Sequence, residues 1–198
     1  MRRVIDTLLA LVGIALLAPL ILLISVCVLI ASGRPILFRQ WRAGQNGMPF
    51  QLVKFRSMRD TRDPSGQLLP DEERVTTIGR LLRRSRLDEL PELWNILKGE
   101  MAFIGPRPLL PETVSAMGAG GEKRGKLRPG LTGWAQVNGN SLLPAADKLA
   151  LDLWYVSHRS PAIDVGIVIK TLGVMIAGER IDRSSLERAY AGDSGRSR

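Results

Sequence analysis

Two adjacent carboxylates, Asp88 and Glu89, follow closely on Arg83, Arg84 and Arg86. An acid pair beside guanidinium groups can offer oxygen to Mg²⁺ while the cations grip a phosphate. A carboxylate can also attack phosphorus directly and carry it as an acyl phosphate, which splits one transfer into two steps. Phosphoryl transfer is one reading of this cluster. The other is structural, because acidic residues in the first turn of a helix are favoured by the macrodipole alone. Arg107 stands between Pro106 and Pro108, and a backbone stiffened on both sides suits either anion binding or a proline-rich connector. Arg128-Pro129-Gly130-Leu131-Thr132-Gly133-Trp134 joins a cation, turn residues and an aromatic, a combination that holds a nucleotide or makes a tight corner.

The elements that must position these groups are legible from periodicity. Leu87, Leu90, Leu93, Trp94 and Leu97 predict a helix over 87–98, and Ser85 three residues before Asp88 resembles a capping box that sets Asp88 and Glu89 near its start. A second helix, rich in arginine, is predicted over Val75 to Arg86. Ile36 to Arg42 and Phe50 to Arg56, joined by a turn-forming stretch, read as a β-hairpin. Asp60 to Asp71 reads as a surface loop, Gly99 to Pro111 as an irregular loop, and Gly118 to Gly121 as a loose stretch. Ile163 to Ala177 reads as a helix lying at a membrane interface or packed in the domain. A small, polar tail begins at Ala191.

Composition narrows the chemistry further. With 198 residues, 45% hydrophobic and 24% charged, the chain is sized for one domain and is not a disordered tail. Lys and Arg outnumber Asp and Glu 28 to 19, and 22 of the 28 are Arg, so the net charge of +9 favours anionic partners. Cys27 and His158 are each the sole residue of their type, which excludes an intramolecular disulfide and the usual zinc sites. A metal here must be held by oxygen. His158 reads as a surface residue, and Asp152, with Trp154 and Tyr155, as packing.

The charge is segregated, because Thr7 to Ser32 is a run of 26 residues without any. As a helix it would be roughly 39 Å long at about 1.5 Å per residue, more than the roughly 30 Å hydrocarbon core. It exceeds the apolar core of a signal peptide, and no small-x-small cleavage site follows it. Pro19 near its middle predicts a kink, and Arg2, Arg3, Arg34, Arg39 and Arg42 flank both ends, which draws both toward the cytoplasm. A re-entrant hairpin satisfies both features. So does a kinked single span, since proline is tolerated in spanning helices.

Several longer motifs carry a resemblance. Lys54-Phe55-Arg56-Ser57-Met58, Leu87-Asp88-Glu89-Leu90-Pro91-Glu92-Leu93-Trp94-Asn95, Lys98-Gly99-Glu100-Met101, Phe103-Ile104-Gly105-Pro106-Arg107-Pro108 and the stretch from Arg128 to Gly139 resemble the bacterial sugar transferases, the monotopic phosphoglycosyl transferases. The likeness runs in order from the membrane segment to about Ala177 and outweighs the structural reading of Asp88 and Glu89. It implies transfer of a sugar 1-phosphate from a UDP-sugar to polyprenyl (undecaprenyl) phosphate, releasing UMP and initiating a lipid-linked glycan. Asp88 matches the aspartyl nucleophile, which forms a covalent phosphosugar and contacts Mg²⁺, and Glu89 matches its dyad partner. Lys54, Arg83 and Arg107 match basic positions of the phosphate site; Pro106, Pro108 and Arg128 are carried as substrate-binding neighbours in the same motifs. The resemblance also implies a re-entrant helix broken at Pro19.

The expected fold class is α+β and mainly helical. It comprises a re-entrant membrane helix over 1–33, a cytoplasmic catalytic domain over 34–180 with a small β-hairpin and interfacial helices, and a tail over 181–198. Because the chain begins directly at the membrane helix, it is similar to the small bacillosamine-phosphate transferases. The expected location is the cytoplasmic face of the bacterial inner membrane, among membrane lipids, and homodimerisation is left open. Two departures stand out: Ala18 precedes Pro19 where some relatives have serine, and Asn140 stands where several carry arginine. A membrane-tethered nucleic-acid-binding domain would share the basic charge and the anchor, but no motif for it is present, and nucleic acid is not an expected partner.

Overall fold

The computed structural model describes residues 2–194. The fold is mostly helical with a small antiparallel hairpin. Contacts divide the chain into two compact units, Met1–Gln40 with Gln51–Gly99, and Trp41–Phe50 with Glu100–Arg198. The hairpin strands β1 (Leu37–Ala43) and β2 (Pro49–Phe55) contribute their paired base to the first unit and their tip to the second.

In the first unit, α1 (Arg2–Ser32) is a single helix with Pro19 inside it, long and apolar enough to cross a membrane. Its length and apolar surface suit association with a membrane. Only Ala10, Ile24 and Val28 of its residues are buried, while Leu16, Leu22 and Ile30 stand open, as expected of a helix whose solvent is lipid. Ile24 and Val28 pack with Phe55 of β2 and Leu82 of α3 (Thr77–Ser85). Near its start, Arg3 donates to the carbonyls of Ile96 (2.5 Å) and Leu97 (2.7 Å), which satisfies the last turn of α4 (Glu92–Lys98). At its end, Arg59 donates twice to the Ala31 carbonyl, at 2.9 and 2.7 Å. Arg3 is thus more than a flanking charge.

The arginine-rich helix forms as its periodicity predicts, with Thr76 capping it by accepting from the Gly79 amide at 2.9 Å. A short helix, α2 (Asp71–Arg74), precedes it. The predicted helix over 87–98 is split. Arg86 enters the left-handed region at φ 56°, Leu87–Glu89 forms a 3₁₀ turn, and α4 starts only after Pro91. The expected capping box does not form, because the Ser85 hydroxyl donates back to the carbonyls of Leu81 and Leu82. Pro91 lacks the amide that a continuous helix would require there.

In the second unit, β3 (Ala102–Ile104) pairs in parallel with β4 (Gly130–Thr132), Ala102 opposite Gly130 and Ile104 opposite Thr132. This pair interrupts the stretch expected to be irregular. The loose stretch at Gly118–Gly121 is also corrected, since α5 (Pro111–Ala116) and α6 (Ala119–Arg124) occupy the region. The core gathers Trp134, Ala135 and Val137 of α7 (Trp134–Val137), Leu151 and Tyr155 of α8 (Ala145–His158), and Ile167 of α9 (Pro161–Ala177). Ala189 of α10 (Arg183–Ser194) completes it, so a helix fills most of the segment expected as a tail; residues 195–198 lie outside the described residues. Val165, Ile169, Leu172 and Ile176 stand exposed on α9. His158 is exposed and stacks on Trp154, as its surface reading requires.

Candidate functional site

Asn95 fixes α4 against β2. Its amide nitrogen donates to the Gln51 carbonyl at 2.7 Å, and its carbonyl oxygen accepts from the Val53 amide at 3.1 Å. The side chain is fully buried, so it holds helix to strand where water cannot compete. The next strand residue is Lys54, whose Nζ lies 2.7 Å from Glu89 Oε1 and 3.1 Å from Glu92 Oε1. Glu92 is 2% exposed. Two buried carboxylates on one ammonium hold that cation in place.

Asp88 precedes Glu89 on the same turn and is half-buried. Burial raises its carboxyl above the ordinary aspartate value; the Lys54 charge opposes that, the Glu89 carboxylate adds to it, and Arg83 opposes it. Asp88 makes no side-chain ion pair among the described residues. Its carboxylate is therefore less solvated than a surface one and is not engaged by the lysine that its neighbours hold. Arg83 Nε donates to the Ser57 hydroxyl at 2.8 Å. The helix that carries Arg83 sits close because of Gly79, where a Cβ would lie 1.9 Å from the Ser57 carbonyl oxygen.

Of the expected site residues, the first unit brings together Lys54, Arg83, Asp88 and Glu89. The second unit holds Pro106, Arg107, Pro108 and Arg128, and its glycines explain their arrangement. A Cβ at Gly105 would lie 2.3 Å from the Arg128 carbonyl oxygen, and the Gly130 amide donates to the Pro106 carbonyl at 2.9 Å. The two motifs therefore lie backbone to backbone. Pro106 and Pro108 are buried and Arg107 is half-buried. The Arg107 carbonyl accepts from Arg124, whose Nε also lies 2.7 Å from Asp152 Oδ2. Asp152 is thus packing, and it packs against a cation. Burial pushes its carboxyl up while the Arg124 guanidinium draws it down.

Glu92, Asn95 and Arg124 were not singled out by residue type and spacing. A signal existed for Glu92, three residues after Glu89 and so within one helical turn of it. Asn140 donates to Glu179, which also accepts from the Ser141 hydroxyl and amide. Asn140 is thus a neutral donor that serves a carboxylate of the same unit.

Comparison with known proteins places this geometry. The family model described as bacterial sugar transferase matches residues 1–178. An uncharacterised sugar transferase of Bacillus subtilis, EpsL, is 39% identical over 93% of this chain and 92% of its own length. A UDP-glucose:undecaprenyl-phosphate glucose-1-phosphate transferase of Caulobacter vibrioides is 38% identical over 86% of this chain and 68% of its own. An N-acetylgalactosaminephosphotransferase of Aeromonas hydrophila, named for UDP-N-acetylgalactosamine and undecaprenyl phosphate, is 37% identical over 89% of this chain, which spans 44% of that relative's length. The matched region takes in α1, the carboxylate turn and the glycine-joined loops alike, and the chain belongs to the bacterial sugar transferase family.

Proposed function

We propose that the protein transfers a sugar 1-phosphate from a UDP-sugar to polyprenyl (undecaprenyl) phosphate, through a covalent phosphosugar on Asp88. The observation that carries this reading is the half-buried, unpaired Asp88 carboxylate beside a lysine already held by Glu89 and Glu92. An Asp88 oxygen attacks the sugar-bearing phosphorus, the bond from that phosphorus to the bridging oxygen breaks, and UMP leaves with the electron pair. An oxygen of the lipid phosphate then attacks the same phosphorus and releases Asp88. Lys54 and Arg83 supply positive charge where the phosphate oxygens gather it, and Glu89 keeps Lys54 in position. Arg107, presented between buried prolines, and Arg128, joined to the same loop, are proposed to serve the donor's phosphates. The names of the relatives make UDP-glucose and UDP-N-acetylgalactosamine the first donors to test.

Mg²⁺ fits this site in one mode. Among the described residues no three His, Cys, Asp or Glu side chains form a metal cage, and Mg²⁺ is commonly held by one or two carboxylates with substrate phosphates completing the sphere. Asp88 would be that carboxylate, and the ion would neutralise charge on the diphosphate. Full-length protein with polyprenyl phosphate, Mg²⁺ and a panel of UDP-sugars should release UMP with at least one donor. EDTA should stop turnover and excess Mg²⁺ restore it. Absence of UMP with every donor in the panel would remove the reading.

The proposed location is the cytoplasmic face of the inner membrane, with α1 entering and leaving on that side by a bend at Pro19. What supports the bend is Pro19 inside α1, with Arg2, Arg3, Arg34, Arg39 and Arg42 flanking both of its ends. Single cysteines before Arg2 and after Ser32, in a Cys27→Ala background, should both resist an impermeant thiol reagent on intact cells. Labelling of the N-terminal cysteine would establish a spanning helix.

A further inference from the structure

Where α1 ends, the chain from Arg34 to Arg39 lines an open groove of about 960 Å³ together with Arg56 and Asp60. Its charge does not balance. Arg56 is taken up by Asp60 at 2.8 Å and by the carbonyls of Met58 and Arg34. Arg34 and Arg39 are exposed and have no side-chain partner among the described residues. The groove thus offers two uncompensated guanidinium groups. A phosphomonoester carries about −1.5 to −2 at neutral pH, whereas the phosphodiester of an ordinary phospholipid carries a single charge. Two forks in one groove match the monoester.

The rest of the lining is apolar. Pro35 and Phe38 are exposed, Phe38 by 46%, and Ile36 and Leu37 are partly covered. The groove begins two residues after α1, whose Leu29 and Ile30 are exposed by 38% and 79%, so an apolar face leads along the membrane helix into it. On the other side, the Arg56 amide still pairs with the Ile36 carbonyl at 2.8 Å. Arg56 is the first residue after β2 and stands two residues from Lys54, roughly 7 Å along extended chain, which sets the groove wall close to the lysine of the carboxylate site.

We propose that this groove docks the polyprenyl phosphate acceptor, with Arg34 and Arg39 gripping its phosphate and Phe38 and Ile36 against the start of its hydrocarbon chain. The inference rests on the two-step reading above only for the identity of that acceptor.

The test uses the full chain reconstituted in neutral phosphatidylcholine vesicles and, separately, in vesicles containing phosphatidylglycerol. An Arg34→Gln/Arg39→Gln variant should raise the KM for polyprenyl phosphate about tenfold per guanidinium removed, as loss of a charge-assisted hydrogen bond implies, and equally in both lipids. UMP released from donor alone, which reports the first step, should be retained. An Arg34→Lys/Arg39→Lys variant keeps both charges without the forks and should recover part of the affinity; it also carries the test if the glutamine variant does not fold. An unchanged acceptor KM would overturn the proposal, as would a defect confined to phosphatidylglycerol vesicles or an equal loss of donor-only UMP release. If the unaltered protein releases no UMP from donor alone, the aspartyl reading fails. Equilibrium binding of polyprenyl phosphate to the resting protein then decides the groove, with weakened binding in the glutamine variant supporting it and unchanged binding overturning it.

Discussion

Replacing Asp88 with Asn should lower turnover on the order of 10⁴-fold and abolish the phosphosugar left on the protein by donor alone, because an amide oxygen is a poor nucleophile toward phosphorus. The fold should survive, since the exchange barely changes volume. The stability effect has a definite sign. Burial raises the Asp88 carboxyl in the folded state, so the folded protein holds that proton more tightly than the unfolded chain. Stability is then lost as pH rises from the unfolded value through the raised one, and at neutral pH the charged carboxylate is a burden on the fold. Asn lifts it, so the Tm of the variant at neutral pH should equal or exceed that of the parent while activity vanishes. The same shift predicts that turnover declines on the acid side at a higher pH than an exposed aspartate would give. Turnover and labelling at parental levels would show that Asp88 is not the nucleophile.

The largest loss of stability is expected at Asp152. It and Arg124 are 4% and 5% exposed, their charged atoms are 2.7 Å apart, and Asp152→Ala would leave a guanidinium buried without its counter-charge. Breaking such a pair costs about 3–5 kcal/mol, a fall in Tm of roughly 10 °C for a chain of this size. Replacing both, as Arg124→Met with Asp152→Leu, should recover most of that stability, because a buried ion pair is often no better than apolar packing. Activity should not return with it. Arg124 also donates to the Arg107 carbonyl, and methionine cannot, so the loop that presents Arg107 loses its anchor. Thermal melts and UMP release on the two variants separate these effects. Full turnover in the stable double variant would show that the anchor is dispensable.

What the sequence determined by itself is what short-range periodicity and linear motifs encode. The uncharged run gave α1, alternating and turn residues gave the hairpin, and apolar spacing gave α3 and α9, because each of these depends on residues only a few places apart. The carboxylate pair was visible too, yet residue type alone favoured a helix start over chemistry, and only the resemblance of several motifs in order reversed that. The structure then moved the pair out of a helix, since Pro91 delays α4 and leaves Asp88 and Glu89 on a 3₁₀ turn.

Tertiary structure decided everything that depends on partners far apart in the chain. Lys54 meets Glu89 and Glu92 across more than thirty residues, Arg3 reaches the end of α4 across more than ninety, and Arg124 finds Asp152 across 28. The parallel pairing of β3 with β4 and the docking of α10 on α8 are of the same kind, the latter sealed by Ala189 and by the bond from Tyr190 to Asp147. A three-residue strand or a twelve-residue polar helix has little local signal, because what stabilises it is burial against a distant surface rather than its own period. That is why the sequence could name Asp88 and Glu89, while only the folded chain could show that Glu92 shares the lysine of Glu89 and that two arginines beside the membrane helix have no side-chain partner among the described residues.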